Sequence, residues 1–276
     1  MPASFFEPDG DAFVATELTR GPWDPDAQHA GPPAALIARE VESLPADEPR
    51  IVGRLTYEIL RPVPIGRLWV DARVARPGRS VDMVEATLRD DDNDLVHARA
   101  WRLRSSNVDL DGELDWDGQG GDAVLRRDKA PPGPRDGEAF DVEFFPTGQS
   151  VGYHTAMEYR FVAGSFTRPG PATAWLRMLH PLLPGEEPSP VQRVAIAADS
   201  GNGISSPLDF RRFIFINVDL TIHLGRPPSG EWICLDSTTI PDATGIGITD
   251  TALYDERGAL GRAAQTLLVG ERRGDS

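Results

Sequence analysis

Asp199 closes an apolar run, Ala195-Ile196-Ala197-Ala198, so a carboxylate falls where a buried helix should end. Asn217 is the lone polar residue in Phe213-Ile214-Phe215-Ile216-Asn217-Val218, and Gln265 follows two alanines in the last alternating segment. A carboxylate can hold or deprotonate water, and an amide can orient it. His29 and Gly31 stand just before Pro32-Pro33. Proline has no N–H, so Gly31 is the backbone donor left in that turn, where a helix N-terminus suits an oxyanion. These residue types are the parts needed to add water to an activated carbonyl.

Each residue also has a purely structural reading. Asp199 could be a helix-end turn residue bonding to backbone near Gly201, and Asn217 could make one structural hydrogen bond. Gln265 is either a solvent-facing strand residue or a buried amide that positions water through its carbonyl oxygen or donates to a substrate oxygen. An unpaired buried amide would cost about 1–3 kcal/mol. Gly31 either donates its N–H or merely allows a tight helix entry. His29 is a substrate contact or a structural histidine.

The elements that must carry these residues are readable from period and punctuation. Alternation marks strands at 68–75, 81–88 and 95–103, separated by turns at Arg76-Pro77-Gly78-Arg79 and Asp90-Asp91-Asp92-Asn93-Asp94. Pro32-Pro33 opens a helix over 32–41 that is apolar on most sides and so belongs against the sheet. The same order recurs about 165 residues later. Arg226-Pro227 and a Gly230 turn precede strands at 232–238 and 247–254 and a last strand ending near Val269. A second central helix is expected at 190–198. This predicts an α+β chain of two tandem units, 1–105 and 149–276, with a connection at 106–148 rich in glycine and proline. The slot matching Gln265 in the first unit is near Trp101, an apolar filler, which leaves water chemistry to one unit.

Composition narrows the classes. A formal net charge of -15 and a sequence pI of about 4.7 argue against nucleic acid or an anionic membrane as the main partner. Cys234 is the single cysteine and lies in an apolar run, so an inert buried thiol is expected, with no disulfide and no cysteine metal cluster. The five histidines lack zinc-ligand spacing, and no metal or cofactor is expected. There is no phosphate loop, dinucleotide fingerprint or Gly-x-Ser-x-Gly elbow. A start without basic residues or a long apolar stretch points to the cytoplasm.

Four blocks carry a family resemblance. They are Trp23 to Arg39, Ala174-Trp175-Leu176-Arg177 with Leu183-Pro184 and Ala195 to Ser200, Asn217 to His223 with Arg226-Pro227, and Ala263-Ala264-Gln265-Thr266. Their order and spacing resemble the TesB-like (type II) acyl-CoA thioesterases over nearly the whole chain, the connection excepted. The resemblance implies a double hot-dog fold, each unit a curved antiparallel sheet wrapped on a central helix. It implies hydrolysis of medium- to long-chain fatty acyl-CoA to free acid and CoA. The family's catalytic aspartate and glutamine fall on Asp199 and Gln265. Asn217 stands where the family has a hydroxyl residue. A homo-oligomer is expected, since curved sheets leave edges that pair between subunits. A non-catalytic acyl-CoA or lipid-binding protein is one alternative. A hot-dog hydratase is the other, disfavoured because no histidine follows Asp199 up to Ser206.

Overall fold

The computed structural model describes residues 3–109, 130–140 and 148–272. Most of the predicted connection, 110–129 and 141–147, lies outside the described residues. The first half holds β1 (Phe6–Asp9), β2 (Ala12–Ala15), α1 (Gly31–Ser43), β3 (Arg50–Ile59) and a meander of β4 (Arg67–Arg76), β5 (Val81–Arg89) and β6 (Asp94–Arg104). The second holds β7 (Glu138–Ala139), α2 (Tyr153–Ala156), β8 (Met157–Ser165), β9 (Arg168–Met178), α3 (Pro190–Ala198) and α4 (Gly201–Ile204). It continues with β10 (Phe213–Asn217), β11 (Asp219–Leu224) and a second meander of β12 (Ile233–Pro241), β13 (Ile246–Asp255) and β14 (Gly258–Glu271).

Every strand pairing is antiparallel. The order is β1-β2-β4-β5-β6-β3-β11-β14-β13-β12-β9-β8-β7, with β10 beside β14. In both halves a strand following the central helix returns to pair with the last strand of the meander: β3 on β6, β10 and β11 on β14. The β3–β11 pair, with Leu55 opposite Ile222, fuses the halves into one sheet. This is the double hot-dog arrangement. Among the described residues the sheet runs from β1 to β7, strands of four and two residues, so these terminal strands are short.

The central helices form where their prolines and apolar runs predict. Pro32 and Pro33 occupy the first turn of α1, and Leu36 and Ile37 are fully buried, each stabilising by about 1.5–3 kcal/mol. α3 begins at Ser189, whose Oγ accepts from the Gln192 N–H. The two helices pack on each other, α1 against β3, β4 and β5, and α3 against β9 and β12. Their contact is closest at Gly31. A Cβ there would lie 2.4 Å from the Ile196 carbonyl oxygen, so only glycine fits. Among the described residues no helix is long and apolar enough to cross a membrane.

Candidate active site

The close contact at Gly31 sets the start of α1 against the end of α3, which brings residues far apart in sequence onto one carboxylate. Asp199 is the residue on which α3 ends, and it is buried. A carboxylate at a helix C-terminus faces the negative end of the dipole, so it needs donors. Asn217 Nδ2 donates to Asp199 Oδ1 at 2.9 Å. Gln265 Nε2 donates to the Asp199 backbone oxygen at 3.2 Å and lies 3.5 Å from Oδ1. On the other side, Asp199 Oδ2 is 2.9 Å from His29 Nδ1. The carboxylate is therefore held from three directions, by both halves of the chain.

A β-bulge aims the two amides. Asn217 pairs with Leu267 and Thr221 with Ala264, so five residues on one side oppose four on the other. The extra residue breaks β10 from β11, and Asp219 turns back to accept the Thr266 N–H through its side chain. Such a kink re-aims neighbouring side chains. Gln265 is 2 % exposed, which rules out the solvent-facing reading. Its Oε1 accepts the Asn202 N–H at 3.1 Å, the first free turn beyond α3. Asn202 in turn donates its side-chain amide to Phe215 O. Gln265 thus clamps the end of α3 at two points rather than offering an unengaged carbonyl to water.

His29 Nδ1 has two neighbours and one role at a time. The Gly31 N–H points to it at 3.1 Å, while Asp199 Oδ2 lies at 2.9 Å. A ring nitrogen either carries a proton or accepts one. When Nδ1–H donates to an ionised Asp199, the Gly31 N–H loses that acceptor and is left for a substrate oxygen. Among the described residues His29 Nε2 has no hydrogen-bond partner, and the His29 side chain is 14 % exposed against 4 % for Asp199. The imidazole is the part of the pair that meets the exterior.

The structure gathers all five residues singled out from sequence: Asp199, Asn217, Gln265, His29 and Gly31. It corrects one expectation and refines another. Asp199 does have a histidine partner, which comes from the other half and not from the residues that follow it. By strand register the first-half place of Gln265 falls to Ala100, opposite Val84 as Gln265 is opposite Thr249; it is a fully buried apolar filler beside Trp101, which itself faces away from the helix layer with Arg76 over its ring. Two residues further on, Arg102 also faces inward, almost fully buried and forked onto Asp82. Two further residues escaped sequence reading. Tyr153 stacks on His29 with ring centroids 3.8 Å apart, and Asn202 holds Gln265. Neither has a local pattern that sets it apart. Burial pushes the Cys234 thiol up, consistent with an inert core residue. Among the described residues no three His, Cys, Asp or Glu side chains are grouped to hold a metal ion.

At the helix junction of this doubled hot-dog, a buried carboxylate, two amides and a histidine supply groups that thioester hydrolysis can use. The family comparisons agree. Residues 19–103 match the acyl-CoA thioesterase N-terminal domain and residues 126–269 the acyl-CoA thioesterase C-terminal domain. The chain belongs to the acyl-CoA thioesterase family and is a thioester hydrolase. No curated protein matches it. Among solved structures, a hot-dog protein of unknown function from Alicyclobacillus acidocaldarius is 15% identical with a TM-score of 0.71, covering 98% of this chain and 97% of that one. The acyl-CoA thioesterase II TesB2 of Mycobacterium marinum is 13% identical at a TM-score of 0.64, with 98% and 96% covered. The TesB protein of Mycobacterium avium subspecies paratuberculosis is 14% identical at 0.62, with 97% and 96% covered. At these identities the likeness is one of fold.

Proposed function

We propose that this enzyme hydrolyses fatty acyl-CoA of medium to long chain, with His29 and Asp199 activating the water. The contact between His29 Nδ1 and Asp199 Oδ2 carries this reading. Asp199, with its Oδ1 already taken by amide donors, orients the imidazole and balances the charge it gains. His29 Nε2 takes a proton from water as the water oxygen attacks the thioester carbonyl. The Gly31 N–H, at the start of α1, receives the developing oxyanion. When the tetrahedral species collapses, the C–S bond breaks, and the proton returns from His29 to the thiolate of CoA. Asn217 and Gln265 keep the carboxylate in place.

The test is release of free thiol from acyl-CoAs of graded length. Wild type should release thiol, and His29→Ala and Asp199→Asn should each lose most of the rate. Tight binding of acyl-CoA without thiol release would replace hydrolysis with a binding role. The same histidine–carboxylate pair also suits hydration of an α,β-unsaturated thioester. Loss of the conjugated enoyl absorbance with no thiol set free would favour that second reading.

We further propose a homo-oligomer formed through the outer sheet face. Ile240 pairs with Ile248, and Ile246 with Leu268, across adjacent strands, and all four side chains are exposed. An apolar group of this kind is a common protein interface. Sedimentation of wild type against Ile248→Glu checks it, since a monomer in both would remove the proposal. The lone buried thiol of Cys234 is in keeping with a cytoplasmic location.

A further inference from the structure

Tyr153 takes no part in the proton transfers proposed for the dyad, yet it is the side chain laid flat on the imidazole. Its ring is parallel to that of His29 within 11° at a centroid distance of 3.8 Å. We propose that Tyr153 is a positioning residue, a template supplied by the second half that fixes the plane of the first half's histidine.

The phenol is itself immobilised at its far end. Its hydroxyl donates to the Ile196 carbonyl at 2.8 Å and shares a 2.9 Å hydrogen bond with Ser200 Oγ. Ile196 is the residue whose carbonyl oxygen crowds Gly31. One aromatic side chain therefore touches the base directly and is anchored to the helix end that presents Asp199. Tyr153 is 1 % exposed, and burial pushes its hydroxyl far up, with the Ser200 hydrogen bond opposing and the nearby Asp199 charge adding to that rise. It stays neutral at physiological pH and does not compete with His29 for protons.

The backbone sets the stack. Adjacent carbonyls receive the two residues: Thr19 O accepts the His29 N–H at 2.8 Å, and Arg20 O accepts the Tyr153 N–H at 3.0 Å. Arg20 then reaches across with Nη1 to Val151 O at 2.9 Å. Gly152 permits the approach, because a Cβ there would lie 3.0 Å from Arg20 O. With both main chains tied to neighbouring peptide units, the two rings meet face to face. The imidazole cannot turn about its Cβ–Cγ bond without breaking the stack. That bond is the one whose rotation would swing Nδ1 off Asp199 and Nε2 off the water. A misaimed base lowers the fraction of competent complexes without altering how substrate binds.

This rests on the reading of His29 as the base, and the experiment separates the two. The full chain is compared as wild type, Tyr153→Phe, Tyr153→Leu and Tyr153→Met, with Tyr57→Leu as a control. Tyr57 is a buried tyrosine whose hydroxyl likewise donates to a central-helix carbonyl, Ala34 O, at a distance of 3.0 Å. Two quantities are read: the upfield ring-current shift of the His29 ring protons, which needs no turnover, and kcat and KM for octanoyl-CoA. Tyr153→Phe should keep the shift and hold kcat within about threefold. Tyr153→Leu and Tyr153→Met should lose the shift, with kcat down about tenfold or more and KM moved by less than about threefold. Tyr57→Leu should lower the melting temperature with a smaller loss of kcat per folded molecule. Unchanged kcat in the variants that lose the shift would overturn the proposal. So would Tyr153→Phe falling as far as Tyr153→Leu, which would make the hydroxyl anchor the active feature. Equal kcat losses in Tyr57→Leu and Tyr153→Leu would reduce the effect to general loosening. Full turnover in His29→Ala would remove the base and this role together, while the shift in wild type and its loss in Tyr153→Leu would still report the stack.

Discussion

Both halves of this enzyme send a polar side chain from the last strand of the meander to the end of the central helix, and they use it for opposite purposes. In the first half, Arg102 Nη1 donates to Val41 O and Leu44 O at the end of α1, and Asp82 takes the rest of the guanidinium as a bidentate pair. In the second half, Gln265 holds the end of α3 through Asp199 O, and the carboxylate in the neighbourhood is Asp199 itself. The inner face of the second-to-last strand differs in step. β5 offers Val84 and Ala86, whereas β13 offers Thr249 and Thr251, bonded to Thr239 and Ser237. One helix end is sealed by a full-strength cation. The other is capped by a neutral amide, which leaves its carboxylate to a histidine from across the molecule. The two side chains are not register equivalents, since Gln265 lies opposite Thr249 and Arg102 lies opposite Asp82, two residues past the Ala100–Val84 pair that matches it. A helix end becomes structural or reactive according to which charge is already spent.

The largest effect that tests this contrast is Asp199→Asn. The amide presents a donor to His29 Nδ1 as readily as an acceptor, so the wrong tautomer is stabilised while shape is kept. The rate of thiol release should fall by about 10³–10⁴-fold with little change in melting temperature. Asp82→Asn in the first half should do the reverse, sparing turnover per folded molecule. Equal losses of turnover in the two variants would end the distinction. Next comes Asp82→Ala, which strands a buried guanidinium and should cost about 3–5 kcal/mol in denaturant unfolding. The paired change Asp82→Leu with Arg102→Met should recover only part of that, because Arg50, whose Nε lies 3.4 Å from Asp82 Oδ2, still loses its carboxylate. Third is Gly31→Ala. The new methyl meets Ile196 O, so the helices must separate, at about 1–3 kcal/mol. That shift also moves His29 from Asp199, and loss of rate should exceed what unfolding explains.

The sequence carried the strands well because alternation and turn residues are local. The segments 68–75, 81–88 and 95–103 fall inside β4, β5 and β6, and Pro32-Pro33 and Pro190 mark true helix starts. Asp199, Asn217 and Gln265 were legible for a related reason: each is a polar residue in an apolar setting. The His29–Asp199 contact was not, since it spans 170 positions and depends on how one helix start meets another helix end. The partner of Asp199 comes from the other half of the chain, so the residues next to Asp199 give no sign of it. The apolar filler expected near Trp101 is Ala100, on the inner face of its strand, whereas the buried Arg102 is not expected until its partner Asp82 is seen beside it.

The smallest effect concerns the segment that carries Tyr153, and pH reaches it through His154. Burial, aided by the charge of Arg20, pushes His154 down to about 4 from an ordinary value near 6.5. The folded state therefore binds this proton more weakly than the unfolded chain does. The sign follows: the contribution to stability is complete above about pH 6.5 and is lost as pH falls from there towards 4. A protonated His154 would face Arg20, whose carbonyl holds Tyr153 and whose side chain holds Val151. Acid should thus loosen the template before the rest of the fold. His154→Gln, which cannot take up the proton, should flatten the fall in melting temperature between about pH 6.5 and 4 relative to wild type. The first-half pair Arg102–Asp82 does not depend on His154, so the Asp82→Ala penalty should be the same in both backgrounds. If His154→Gln instead reproduces the wild-type pH curve, acid acts elsewhere, and the sensitivity of the second half is not set at the Tyr153 segment.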